Sequence, residues 1–568
     1  MDMHDYTKGV LRTAAYPETN TTPSIRSLVT IMLQTLLQTN ILSRMRLAPG
    51  YKEWSGPQDV PLSIADSIAT TLPPAQGIWY WDPLPDHQRA FSTDTLVTSL
   101  NHTLEAYPQF AGRIEEIPLG EQDITRERHG RFRVIYGTQN DPGIEVLLAR
   151  CDASISNMLP VPEKRLDQWN ASQFEFNHLF AGQEAPLALE KDASSTGTLP
   201  LMVIKITSFV DGGLAIATRL VHAMGDLPSL MRFMRDWAAT NQAITFHEAP
   251  SPMKPLFNPG LVDAASAGCS NGQLPDLELI HQSRLAPIHR FDWWASKSGV
   301  PKCFARRTQI PNCLQHLRPN VHYGTPIPWH DWDIEAPVSH HVLYFSKDEI
   351  LNAHAEAKTS NSASFLRISH LDSLLSHLWS LIIRARGITS PEDLVYLNFV
   401  LDYRPRLGLP AELISSPSAM VYAKSTGREI AEGALSEIAP HIRWSIKQMD
   451  RERISAFLHD CAYQVSSHRY WQYFAGRHHV SMTSWLNQGV QDLDFSGKGG
   501  ARYFTPLIPD FMVQIAEAPK APGMRERGQW YDSGVEVRLQ LEQGVVEKVL
   551  QDPCLRRYRS KCSKRQTR

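Results

Sequence analysis

The chain has 568 residues, 42% of them hydrophobic and 20% charged, with a formal net charge of -2. That length calls for two or more domains, the composition excludes a disordered chain, and the near-neutral balance argues against broad attraction to nucleic acid or an anionic membrane. Cys151, Cys269, Cys303, Cys313, Cys461, Cys554 and Cys562 are scattered, with no C-x-x-C pair, so no disulfide framework is expected and the reduced cytoplasm is the compartment that fits.

The first ten residues, MDMHDYTKGV, do not read as a cationic leader before an apolar core. Leu28 to Leu42 is the most apolar early run, but Thr30, Gln34, Thr35, Gln38, Thr39 and Asn40 interrupt it. It is too short and polar to span a bilayer and reads as an amphipathic helix packed on the body. Residues 1–58 are therefore assigned to an N-terminal extension. A globular pattern starts at Val60 and runs through Ser63 and Asp66. Gly77 to Trp81 reads as a buried aromatic strand, and Asp94 to Ala106 as a helix with Leu96, Leu100 and Leu104 on one face. Short strands are expected at Arg131 to Tyr136 and Ile144 to Leu148.

Leu201 to Phe209 reads as a strand, and Gly212-Gly213 as the turn that pairs it with Leu214 to Val221. His222-Ala-Met-Gly-Asp226 follows, then Pro228 and a helical pattern through Leu230, Phe233, Met234 and Trp237. The H-x-x-x-D spacing alone carries little. Its context carries more: a histidine stands where a buried strand ends and a helix begins, a usual place for catalytic groups. A neutral imidazole there can take a proton from a hydroxyl near pH 7. Asp226 either holds the imidazole or turns away to anchor the loop. The bland alternative is a hydrogen-bonded core histidine beside a helix-capping aspartate.

From 241 to 335 the pattern breaks. Proline is frequent, and Trp293, Trp294, Trp329 and Trp332 appear without periodicity. The segment reads as a long crossover laid over the surface. No metal is expected at His330-Asp331-Trp332-Asp333, because no ligand set with useful spacing completes it, nor at the His340-His341 or His478-His479 pairs. The second half, 336–555, opens with a strand at Val342 to Phe345. Ser369 and Asp372 cap an amphipathic helix that ends at Arg384-Ala-Arg-Gly387. A strand at Leu394 to Leu401 leads into Asp402-Tyr-Arg404-Pro-Arg406. Asp494 to Gly500 is a Gly-rich loop that lacks a phosphate-binding pattern and reads as a tight structural turn. Residues 556–568, rich in Lys and Arg, read as a solvated basic tail.

Taken together, His222-Ala-Met-Gly-Asp226, Leu401-Asp402-Tyr-Arg404-Pro-Arg406-Leu407, the Ser369 to Arg386 helix, Thr483-Ser484-Trp485 and Asp494-Phe495-Ser496-Gly497-Lys498-Gly499 stand in the order found in the BAHD acyltransferases. Over residues 60 to 559 the chain resembles that family, and most closely its fungal trichothecene 3-O-acetyltransferase-like branch. Two departures stand out: the 494–499 loop lacks the family's Trp and has Ser496 at its first Gly. Val221 stands where the related peptide-synthetase condensation motif has a first histidine, which disfavours that assignment. The resemblance implies an α/β fold of two chloramphenicol-acetyltransferase-like domains with mixed sheets, 59–240 and 336–555, joined by the 241–335 crossover around an active-site tunnel. It implies acyl-CoA, acetyl-CoA foremost, as co-substrate with no permanently bound cofactor, and a small-molecule alcohol as acceptor. His222 would be the general base, with Asp226 paired to Arg404, or less so Arg406. Asp494 would be structural, and Thr483 and Trp485 would lie near the thioester and its oxyanion. A monomeric, cytoplasmic enzyme without a membrane span or nucleic-acid partner is expected. Two alternatives stand beside it: a same-fold enzyme using His222 for CoA-independent rearrangement, and an inactive metabolite-binding protein.

Overall fold

The computed structural model describes residues 39–50, 56–84, 89–120, 125–160, 162–173, 177–180, 185–190, 197–266, 274–296, 298–358, 366–520, 524 and 528–560. Two mixed sheets organise them. The first runs, in spatial order, Thr39–Leu47, Ile144–Cys151, Met202–Phe209, Leu214–Leu220, Ala75–Trp81 and Tyr503–Pro506. The second runs Ser418–Thr426, Leu394–Asp402, His479–Ser484, Met512–Glu517, Val535–Glu542, Val338–Phe345 and Gln168–Asn170. Each half of the chain lends a strand to the other's sheet. Tyr503–Pro506 pairs antiparallel with Ala75–Trp81, and Gln168–Asn170 with Val338–Phe345. Contiguous domains at 59–240 and 336–555 therefore do not describe the sheets by themselves.

The first sheet packs its apolar face against the helix Leu227–Thr245, whose buried residues include Leu230, Phe233, Met234 and Trp237 at the expected helical spacing. Thr93–Leu104 lies alongside, burying Leu96, Leu100 and Leu104. In the second half the helix His370–Arg386 is the centre of the core. Ser369 and Asp372 form a capping box at its start, and Gly387, at φ 68°, ends it in the left-handed conformation that glycine adopts without penalty. Its Leu375, Leu378, Trp379 and Ile382 lie against Leu397, Val421, Val480 and Val537 of the second sheet.

Three expectations need correction. Residues 39–42, expected to end an amphipathic helix, belong instead to the strand Thr39–Leu47, which pairs with Ile144–Cys151 and so ties part of the N-terminal extension into the first sheet. Residues 28–38 lie outside the described residues. The crossover is not merely laid over the surface. Phe291, on the short strand Phe291–Asp292, and Trp293, Trp294, Phe304 and Trp329, on 3-10 turns, are buried in an aromatic cluster with Trp471 and Phe474. Finally, Arg556, Arg557 and Arg559 are not a solvated tail. They pair with Asp167, Glu349 and Glu356 and clip the chain end onto both halves. Residues 561–568 of that tail lie outside the described residues.

Candidate active site

His222 sits where the first sheet hands the chain to its main helix. The hairpin that delivers it turns on Gly212, at φ 89°, while a side chain on Gly213 would come within 2.7 Å of Ile155. The strand Leu214–Leu220 is buried on both faces and ends at Val221. His222–Met224 then forms a single 3-10 turn, and Asp226 caps the helix Leu227–Thr245 by accepting from Ser229 N at 3.2 Å, with Pro228 in its first turn. Gly225 allows the loop to close on that helix: a Cβ there would stand 2.6 Å from Ser229 Cβ.

Asp226 turns away from the imidazole. Its two carboxylate oxygens take a bidentate pair from Arg404, at 2.7 and 2.9 Å, and both residues are buried. Arg404 also donates to the carbonyls of Leu413 and Ser415 and to Asp402. Burial works against its charge, but Asp226 and Asp402 outweigh that and push its pKa up. Among the described residues the Arg406 side chain donates to the Asp402 carbonyl, at 3.4 Å, and makes no bond to Asp226, so Arg404 is the partner. The pair joins the loop after the first sheet to the turn Asp402 to Leu407 at the end of a second-sheet strand. Planar bidentate geometry makes it the strongest kind of ion-pair contact.

Two residues that the sequence reading did not single out for the site, Ser416 and Asp66, stand behind His222. Ser416 stands just before the strand Ser418–Thr426. Its hydroxyl donates to the His222 carbonyl at 2.5 Å and lies 3.2 Å from Nδ1. Asp66, 1% exposed on the short helix Ile64–Ala69, accepts from Ser416 N and Ser415 Oγ, each at 2.7 Å. Burial raises the Asp66 pKa to about 6, against its hydrogen bonds to Ser63, Ser415 and Ser416. A signal for Asp66 was present in Ser63-Ile-Ala-Asp66, which spaces as a capping box. Nothing in the sequence marks Ser416. Burial also lowers the pKa of His222, opposed by the Asp226 charge and by the residue's own carbonyl, so the imidazole is neutral at pH 7.

The remaining expected residues lie further out. Thr483 is on the strand His479–Ser484 of the second sheet. Trp485 donates its backbone N–H to Ile515 O at 2.8 Å, packs on Phe504 with ring centroids 5.3 Å apart, and shares a core with Val221 and Ile414. Among the described residues no hydrogen bond joins Thr483 or Trp485 to His222. Asp494 shapes its loop: Oδ1 accepts from Ser496 N, Ser496 Oγ and Gly497 N, and Oδ2 from Gly499 N. Ser496, where the family has glycine, thus adds a bond. The loop docks on the helix after His222 through Asn241 to Phe495 O and Gln242 to Asp494 O, with the Phe495 ring edge-on to Trp237. Asp494→Ala leaves those turn N–H groups without their acceptor, so the melting temperature should fall by an amount equivalent to about 1–3 kcal/mol. A melting curve that superimposes on the parent's would show that the turn does not depend on the carboxylate.

The fold and the order of these motifs are those of a BAHD-type acyl-CoA-dependent acyltransferase. Residues 37–266 and 295–551 match the model of the Transferase family, and the chain belongs to that family. Among its relatives is the acyltransferase AFT15-1 of Alternaria alternata, 25% identical over 84% of this chain and 90% of that one. Another is the acyltransferase abl6 of Leptosphaeria maculans, 24% identical over 91% of this chain and 98% of that one. In fold the chain is similar to F. graminearum TRI101 complexed with coenzyme A and deoxynivalenol, at a TM-score of 0.60 and 16% identity, covering 88% of this chain and 98% of that one. It is also similar to vinorine synthase, at a TM-score of 0.55 and 17% identity, covering 90% of this chain and 96% of that one. No helix among the described residues is long and apolar enough to cross a membrane.

Proposed function

We propose that this enzyme transfers an acyl group, acetyl foremost, from acyl-CoA to a hydroxyl of a small secondary metabolite, with His222 as general base. The observation that carries the reading is His222 standing between the first sheet's strand and its main helix, with the loop aspartate committed to Arg404 and not to the imidazole. The two fungal acyltransferase relatives and the neighbour crystallised with coenzyme A and a trichothecene support the choice of donor and acceptor. His222 takes the hydroxyl proton as the oxygen attacks the thioester carbon. The tetrahedral intermediate then collapses, breaking the C–S bond, and the imidazolium returns the proton to the departing thiolate. Thr483 and Trp485 are assigned to the oxyanion side, and Asp226, Arg404 and Asp494 to holding the loop. The enzyme is assigned to the cytoplasm as a monomer.

No Ser or Cys thiol stands beside His222 in sequence as a nucleophile, and the one neighbouring hydroxyl, Ser416 Oγ, gives its proton to the His222 carbonyl. Both substrates must then be bound together, and their proximity does much of the work. Initial rates with acetyl-CoA and longer acyl-CoAs against a panel of alcohols and amines, read as thiol release, should give intersecting double-reciprocal lines. Parallel lines with a stoichiometrically acylated peptide would instead mean a covalent intermediate. Turnover of the acceptor without any acyl-CoA would mean a rearrangement, and no turnover of any acyl-CoA would mean a binding protein.

A further inference from the structure

Ser416 has one hydroxyl proton, and the structure places it on the His222 carbonyl at 2.5 Å. Towards Nδ1, 3.2 Å away, the same oxygen can only accept. Nδ1 must therefore carry the ring proton, which leaves Nε2 with the lone pair a base needs. What keeps Ser416 in place is Asp66. One carboxylate oxygen takes Ser416 N and Ser415 Oγ from the second-sheet segment. The other takes Ser63 N at 3.3 Å and Ser63 Oγ at 2.6 Å. Among the described residues this buried carboxylate has four hydrogen bonds and no ion pair. The segment it holds is pinned from the far side as well, since the Ser415 carbonyl accepts from Arg404 and Ser229 Oγ, at 2.8 and 3.0 Å. Ser416 is thus held between two charged clamps, and among the described residues its hydroxyl meets the His222 carbonyl and Nδ1.

We infer that Ser416 and Asp66 are positioning residues for the base: Ser416 fixes the His222 tautomer and ring orientation, and Asp66 fixes Ser416. The inference rests on the assignment of His222 as base. It also gives a specific use to a buried carboxylate that capping a six-residue helix does not require, since a hydroxyl cap alone would serve.

The test uses the full-length enzyme with acetyl-CoA and the best alcohol of the panel, or water where no alcohol exceeds it, read as thiol release. Ser416→Ala should lower kcat by about 10- to 100-fold, by analogy with the loss of a partner that orients a metal-bound histidine, with KM for acetyl-CoA changed less than about twofold. Ser416→Thr keeps the hydroxyl and should recover most of the rate. Placed on His222→Ala, Ser416→Ala should cost nothing further, because there is no ring left to orient. Asp66→Asn should lower kcat in the same way and add little to Ser416→Ala. A full-rate Ser416→Ala, or an equal further loss in the His222→Ala background, overturns the inference while leaving the base assignment standing. A full-rate His222→Ala removes both. Independently of turnover, long-range proton–nitrogen spectra of 15N-histidine-labelled protein should show His222 with Nδ1 protonated and Nε2 bare. A protonated Nε2 in the parent, or an unaltered pattern in Ser416→Ala, would also overturn it.

Discussion

His222→Ala is expected to lower kcat by roughly 100-fold to 10,000-fold, the usual worth of a positioned general base. The KM for acyl-CoA should change little, because the ring meets the acceptor's proton and not the donor's nucleotide. Stability should change little too, since the imidazole meets only a 3.2 Å contact with Ser416 and its own carbonyl among the described residues, and the pinning bonds of the loop run through Asp226. The pH profile supplies a second check. Burial depresses the His222 pKa below its ordinary value near 6.5. The neutral, reactive form therefore persists to lower pH than in a free imidazole. The acid limb of kcat/KM against pH, which reports the free enzyme, should lie below about pH 6.5 in the parent and vanish in His222→Ala. Near-normal turnover in a variant that melts like the parent would sink the base assignment.

How much of this site the sequence disclosed depends on how local each relation is. The hairpin, the strand end and the helix start around His222 are consecutive, so glycine turns and apolar periodicity revealed them. The capping box at Ser369 and the helix to Gly387 were legible for the same reason. The Asp226–Arg404 pair joins positions 178 residues apart. Spacing left Asp226 with two possible orientations, and only resemblance named a partner. The Asp66–Ser416–His222 contacts cross both sheets and involve a serine in no motif, so nothing local could reveal them. Residues 39–42 follow a run rich in Leu, Thr and Gln that suggests a helix, whereas the strand shows itself only further on, where Ser43, Met45 and Leu47 alternate with exposed neighbours in the manner of an edge strand. The exchanged strands, three and four residues long, are too short for any pattern to stand out. The tryptophans of the crossover defeated the reading in another way. Trp293, Trp294 and Trp329 sit in 3-10 turns of three residues, which have no period to find.

Asp226→Asn should cost about 3–5 kcal/mol of stability, because removing one partner leaves the Arg404 charge buried without its counter-ion. Asparagine isolates that effect well. It is as good an N-cap as aspartate, so the start of the helix Leu227–Thr245 should survive. Its carboxamide oxygen can still accept from Ser229 N, but the amide now meets an arginine N–H where an oxygen stood 2.7 Å from Nη1. Asp402, 3.2 Å from the same guanidinium, offers partial compensation and places the loss towards the lower end of the range. Arg404→Ala should be at least as costly, since it strands the Asp226 carboxylate and also releases the carbonyls of Leu413 and Ser415. The segment that carries Ser416 then loses one of its clamps, so activity should fall with stability and not independently of it. The two losses should also be far from additive, because both variants break the same pair. Urea unfolding of the parent, both single variants and the double variant measures this directly. An Asp226→Asn protein with the parent's unfolding midpoint, altered only in the pH dependence of kcat, would instead assign the carboxylate to the imidazole and leave Arg404 as a partner of Asp402 alone.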